Sequence, residues 1–314
     1  MSARQRVLAI VALAGAVVVA ATVGIAYLQA RGETPGTKAR SGSPPLELDF
    51  GLRSDAEARA LARAETLYND HHPAAAAKVF ARYDSLEAQI GGAFAAWPKD
   101  GLDTLKRLVA SHPGSALAEL HLGLAYYWSG RDADAVAAFR RTEKLQPDTP
   151  YALSAASILH PDMPRQPLPL FVPSSPQPAV KTVEALRRRA LGRDVVARIY
   201  YGLALQRLGR PLSAERAFAS AAAIAPNDPE ALAAAAVGRF SKDKPARAFS
   251  QLGPLAKRFP TSAVVRFHLG YLLVWIGERK LAAKELKLAR AAAPGSVYDR
   301  YATTLLTALG DGTR

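Results

Sequence analysis

GLALQRLGRPLSAERAFASAAAIAP (Gly202–Pro226), AVGRFSKDKPARAFSQLGPLAKRFP (Ala236–Pro260) and GYLLVWIGERKLAAKELKLARAAAP (Gly270–Pro294) are set 34 residues apart in one chain. Each opens on a small residue, places alanine twelve positions before its final proline (Ala214, Ala248, Ala282), and places a large apolar residue eight before it (Phe218, Leu252, Leu286). Small residues let two helices approach, the large one fills the space between them, and proline stops the second helix because it has no N–H and clashes with the preceding turn. A period of this length made of two helical patterns predicts helix pairs that cannot bury their apolar faces alone and must stack on neighbours.

Working outward, residues 116–149 repeat the pattern through Leu122, Gly123, Tyr126, Gly130, Ala135, Phe139 and Pro147. These residues resemble the tetratricopeptide repeat, with Glu119 standing where that family usually has tryptophan. The resemblance extends to three consecutive repeats over 195–296 and, in degenerate form, to 54–115. It implies an all-α fold, a right-handed superhelix or α-solenoid of antiparallel helix pairs. Residues 297–314 carry the apolar spacing of a C-terminal capping helix. From Pro147 to Pro226 the chain runs 79 residues, two periods and eleven more. The surplus falls in 150–194, read as a divergent repeat with a proline-rich insertion at 160–178. There Pro161, Pro164, Pro167, Pro169, Pro173, Pro176 and Pro178 forbid a helix. Two roles fit that insertion: a strap lying over the helices, or a segment that enters the groove and occludes or completes it.

The N-terminal thirty residues read differently. Val7 to Leu28 is 22 residues without a charge, behind Arg4 and Arg6, and roughly 20 apolar residues cross a ~30 Å hydrocarbon layer. Its length and the lack of a small-x-small exit favour an uncleaved membrane anchor over 1–30 rather than a cleaved signal. Basic residues flank it on both sides, and the short basic head followed by one span favours a single-pass cell-membrane protein with an extracytoplasmic body. Residues 31–53, rich in Gly, Ser and Pro at first, are expected to be a flexible linker.

In the resembled family the first helix of each repeat lines a concave groove. Counting from the motif glycines, the resemblance assigns to that groove Leu120, Leu124, Tyr127, Trp128, Tyr200, Leu203, Arg207, Phe240, Phe267, Tyr271 and Trp275. Where some members carry lysine and asparagine to clamp a chaperone's C-terminal carboxylate, this chain has Leu120, Leu124, Ile199, Leu203, Phe267 and Tyr271. The expected occupant is therefore an extended apolar peptide or an amphipathic helix.

Charge and chemistry narrow the remaining classes. The chain carries 41 Lys and Arg against 27 Asp and Glu, a net +14 of which +12 lies after residue 30. The clusters Arg187, Arg188, Arg189, Arg193, Arg198 and Arg279, Lys280, Lys284, Lys287, Arg290 read as solvated outer faces, with contact to anionic lipid as the competing reading. No nucleic-acid motif accompanies them, and no nucleic-acid partner is expected. Cysteine is absent, which excludes disulfides and thiolate chemistry. No Gly-x-Ser-x-Gly, phosphate loop or His-Glu-x-x-His occurs; His71 and His72 read as turn residues, and His121 and His268 as satisfied interior or groove donors. The expectation is a non-enzymatic scaffold without cofactor or metal, recruiting a protein or peptide partner as an assembly or biogenesis factor of a bacterial envelope. The plan resembles membrane-anchored repeat proteins of cytochrome c maturation. The alternative is a self-associating structural element whose groove is filled by another copy or by the proline-rich loop.

Overall fold

The computed structural model describes residues 39–179 and 182–311. The expected anchor at 7–28 lies outside them. Among the described residues no helix is long and apolar enough to cross a membrane, and the regular structure is entirely helical. The described residues divide into two compact units, on either side of the Gln166–Pro167 boundary.

The first unit consists of α1 (Ala56–Asn69), α2 (Pro73–Phe80), α3 (Leu86–Ala95), α4 (Gly101–Ser111), α5 (Ala116–Trp128), α6 (Asp132–Leu145) and α7 (Pro150–Leu159). The second consists of α8 (Val183–Ala190), α9 (Val195–Arg207), α10 (Pro211–Ile224), α11 (Pro229–Gly238), α12 (Ala246–Arg258), α13 (Ala263–Trp275), α14 (Arg279–Ala292) and α15 (Val297–Asp311). Each unit thus stacks three helix pairs and closes on a single helix, α7 or α15; in the second unit α8 packs against α9 ahead of the first pair. The unit boundary falls inside the proline-rich insertion, so the stretch 150–194 gives α7 to the first unit and α8 to the second.

Local chemistry sets the helix ends. Asp55, Ser85, Ser115, Thr149, Thr182 and Asp194 each accept a hydrogen bond from the N–H three residues on, the N-cap interaction that satisfies an orphan donor. Pro113, Pro147, Pro226, Pro260 and Pro294 each sit two residues past the last helical one. The residue before each proline is driven out of the helical region: His112, Gln146, Ala225, Phe259 and Ala293 have ψ between 61° and 74°. The turns inside the pairs use left-handed backbone at Gly130, Gly209 and Gly277, with φ of 74°, 64° and 79°. His71 takes that position between α1 and α2 at φ 65°, a conformation with a steric cost for any residue bearing a Cβ.

Close approach explains the other recurring glycines. A Cβ on Gly123 would stand 2.7 Å from the Phe139 ring, and one on Gly202 2.5 Å from Phe218. Both phenylalanines are fully buried, worth roughly 1.5–3 kcal/mol each relative to exposure. Glu119, at the position usually held by tryptophan, is buried and paired with Arg141 of α6 at 2.6 Å.

Two inner faces, each holding an extended segment

In each unit the first helices of the pairs, with the closing helix, form an inner face. The first is made by α1, α3, α5 and α7, and an extended segment, Arg40–Phe50, lies on it. Four consecutive amides of this segment are taken by side chains. Leu46 N–H donates to Asn69 Oδ1 at 3.1 Å, Glu47 N–H to His121 Nε2 at 3.2 Å, Leu48 N–H to Glu65 Oε1 at 2.9 Å and Asp49 N–H to the Tyr151 hydroxyl at 2.9 Å. Asn69 also donates to the Leu46 carbonyl at 2.9 Å, and the Tyr68 hydroxyl donates to that of Pro44 at 2.7 Å. Leu46 is completely buried. At the leading end, Arg40 makes two bonds to Asp132, at 2.8 and 3.1 Å. Its guanidinium also donates to the Tyr127 carbonyl and lies 3.7 Å over the Tyr127 ring, and its N–H reaches the Trp128 carbonyl.

These residues belong to the stretch 31–53 expected to be a flexible linker. The physical reason for the difference is the alternation Leu46, Leu48, Phe50 against Glu47, Asp49, the pattern of a half-buried extended strand, which follows directly on the Gly/Ser/Pro run.

The second unit repeats the device with the proline-rich segment. Phe171 N–H donates to Gln206 Oε1 at 3.0 Å, Val172 N–H to His268 Nε2 at 3.0 Å, and Ser174 N–H to Glu230 Oε1 at 2.7 Å. Gln206 Nε2 reaches the Pro169 carbonyl at 3.4 Å, the Tyr298 hydroxyl donates to the Val172 carbonyl at 3.1 Å, and the Tyr200 hydroxyl to that of Ser175 at 2.7 Å. Phe171 is buried, stacked on the His268 ring at 4.4 Å between centroids and 5.8 Å from Phe218. Residues 168–175 of the insertion thus lie on the inner face.

The histidines are the hinge of both sites. Each is fully buried, and its Nδ1 faces the carbonyl four residues back, Leu117 at 2.7 Å and Val264 at 2.8 Å. The proton therefore sits on Nδ1, and Nε2 offers its lone pair to the segment. Burial pushes both imidazoles down to about 4, against a smaller upward pull from those carbonyl bonds. In the first unit burial raises Glu65 to about 7; the Leu48 N–H pulls it down, while the Glu47 and Asp49 charges add to the rise. Glu47 is itself raised by burial, opposed by a bond from Ser154. Such a site is built to grip a neutral main chain. Among the described residues no grouping of His, Asp and Glu could hold a metal ion.

The residues assigned to the groove from sequence fall in several settings. Leu120 and Leu124 are core, packed in the first unit, while Tyr127 and Trp128 receive Arg40. Tyr200 holds Ser175, and with Leu203 and Arg207 it lines a cleft of about 240 Å³ beside Gln177 and α8. Phe267 and Tyr271 stack at 5.8 Å, Trp275 stands edge-on to Tyr271 at 6.3 Å, and Phe240 edge-on to Trp275 at 5.6 Å. Sequence reasoning did not find Asn69, Glu65, Tyr151, Glu230 or Tyr298. One signal was present: His-Leu-Gly occurs at 121–123 and 268–270, and in both cases a tyrosine, Tyr151 or Tyr298, follows the histidine by thirty residues.

Residues 117–149, which are α5 and α6 almost entire, match the tetratricopeptide repeat family model. No curated protein is similar in sequence to the chain. Among solved structures, the TPR2AB-domain:pHSP90 complex of yeast Sti1 is 12% identical, covers 81% of this chain and 98% of its own, and has a TM-score of 0.32. A tetratricopeptide repeat protein from Parabacteroides merdae is 13% identical with the same two coverages and TM-score 0.32. Yeast Tom70 is 13% identical over 87% of this chain and 53% of its own, again at 0.32.

Proposed function

We propose that this tetratricopeptide-type scaffold captures a polypeptide partner on an inner face, and that residues 7–28 hold it at a cell membrane with the repeat body on the extracytoplasmic side, in envelope assembly or biogenesis. One observation carries the capture reading: in both units, side chains from separate helices grip the main chain of an extended segment through its N–H and C=O groups. A surface that recognises backbone in this way is a polypeptide receptor by its chemistry. In the second unit the cleft of Tyr200, Leu203 and Arg207 adjoins the held segment and supplies an aromatic, an aliphatic and a cationic contact for the incoming chain. The tether reading rests on the uncharged stretch and on spacing. Eleven residues separate Leu28 from Arg40, so the first held residue lies within ~40 Å of the bilayer edge even at full extension.

A photo-crosslinking side chain placed at Arg207 of the full chain in its native host tests capture. The expected result is adducts to a polypeptide that diminish in a Leu203→Asp background; the absence of polypeptide adducts refutes the reading. A C-terminal reporter active only outside the cytoplasm tests the topology. The completeness of the hold on Leu46 favours a second reading, in which the segments are permanent parts of each unit and the scaffold self-associates. A mass of the soluble body that rises with concentration supports that reading, and a constant monomer mass removes it.

A further inference from the structure

Superposing the two held segments by their histidine bonds aligns Pro44 with Pro169, Leu46 with Phe171 and Glu47 with Val172. At each pair the same group is held in the same way. The proline carbonyl accepts from a side chain of the unit's leading inner helix, Tyr68 in one and Gln206 in the other. The apolar residue is buried and gives its N–H to a carboxamide at the end of that helix, Asn69 or Gln206. The next N–H goes to His121 or His268. Both segments run from the C-terminal ends of the inner helices towards their N-terminal ends. The apolar side chain is enclosed, and so is the proline two positions ahead of it. The position after it is acidic in one segment and β-branched in the other, and what the two share is the amide given to the histidine. Proline two positions ahead suits the register because it has no N–H to satisfy and favours extended backbone.

We infer that both inner faces read one register, Pro-x-(Leu or Phe)-x in extended conformation, and that the partner is captured on the second face by presenting this register in place of Phe171 and its neighbours. This rests on the capture reading above and adds the partner's chemistry. The second face is the one that yields. The first segment is fixed by four consecutive amides and the Arg40–Asp132 clamp, whereas Pro173 interrupts the donor series of the second. Residues 160–179 include no helix, so leaving the face unravels none. Beyond the register the chain passes Tyr200 and reaches the cleft of Leu203, Leu208 and Arg207. Arg207 is exposed and makes no ion pair among the described residues. The captured segment therefore continues into an apolar side chain and a carboxylate.

The test uses the full chain carrying Val172→Pro, which removes the N–H given to His268, and a fluorescent peptide of residues 167–177 as probe. Saturable binding about tenfold or more tighter than to the wild-type chain is expected, because the tethered segment competes at high effective concentration in the wild type. The same peptide with its Phe replaced by Ala should lose about tenfold in affinity, as expected when a buried anchor is removed. Equal binding of both peptides, or no binding by a variant that keeps the wild-type melting profile, overturns the inference. If Val172→Pro does not fold, limited proteolysis of the wild-type chain decides: excess peptide should accelerate cleavage within 160–178, and an unchanged rate overturns it. Polypeptide crosslinks at Arg207 that persist while the peptide arms fail would leave capture standing and remove the register.

Discussion

Acidification should weaken the two units unequally, and the structure sets the size of the effect. In the second unit His268 is held down to about 4, against an ordinary unfolded value near 6.5. Between these values the unfolded chain binds the extra proton and the folded one does not, so stability present at neutral pH is lost as pH falls through that window. From pH 7 to 5 the loss is about 2 kcal/mol. The groups facing His268 are the Val172 N–H, the Val264 carbonyl and the Phe171, Phe267 and Tyr298 rings; the Tyr298 phenol is raised, chiefly by burial, and stays neutral throughout. In the first unit His121 contributes the same loss, but Glu65 is raised to about 7. A raised carboxyl stabilises below its unfolded value and loses that contribution as pH climbs, so acidification to pH 5 returns about 2 kcal/mol. Glu47, raised as well, acts in the same direction. The first unit should therefore lose nothing or gain, and the second should lose about 2 kcal/mol. Hydrogen exchange resolved by peptide segment at pH 7 and 5, corrected for intrinsic rates, measures both units in one sample. The expected result is reduced protection over 195–311 with none lost over 56–159, and a flattened dependence in His268→Gln. Equal losses in the two units, or an unaltered dependence in His268→Gln, would refute the reasoning.

Other outcomes follow from single contacts. Gly123→Ala should cost about 1–3 kcal/mol by overpacking against Phe139, while Gly114→Ala, whose added carbon meets nothing within 4 Å, should shift the thermal midpoint little. Leu46→Ala should cost about 2–5 kcal/mol and lower protection in the first unit alone, a result that a freely moving linker would not give. Arg40→Ala leaves the buried Asp132 without its bidentate partner and should cost about 2 kcal/mol by urea denaturation, with Arg40→Lys recovering part because one charge remains but the planar fork is lost. His71→Gly should stabilise by up to about 1 kcal/mol, since glycine takes left-handed backbone without strain.

The helical frame was legible because its punctuation is local. Five prolines two residues beyond helix ends, and Gly123 and Gly202 against Phe139 and Phe218, announce the pairs from spacing alone. Over 117–149 the family match covers the same stretch. The inner faces were less legible because their occupants are not helical and carry no period of the repeat. Leu46 and Phe171 sit far in sequence from the histidines that hold their segments, 74 residues for Glu47 and 96 for Val172. Only a fold that brings those stretches together reveals the pairing. Aromatic residues such as Phe267 and Trp275 draw attention to the face by their size, yet the groups that grip main chain there are polar: Asn69, Gln206, two imidazoles, two glutamates and the hydroxyls of Tyr68, Tyr151, Tyr200 and Tyr298.

The Arg40 clamp also has a mechanical meaning. Tension applied to the chain ahead of residue 40 meets Asp132 and the α5 carbonyls before it reaches any helix, and then meets the amides of Leu46 to Asp49 in succession. The extended segment works as a strain relief, so that a pull from that side is spent peeling a ribbon while the helix stack behind it is loaded last.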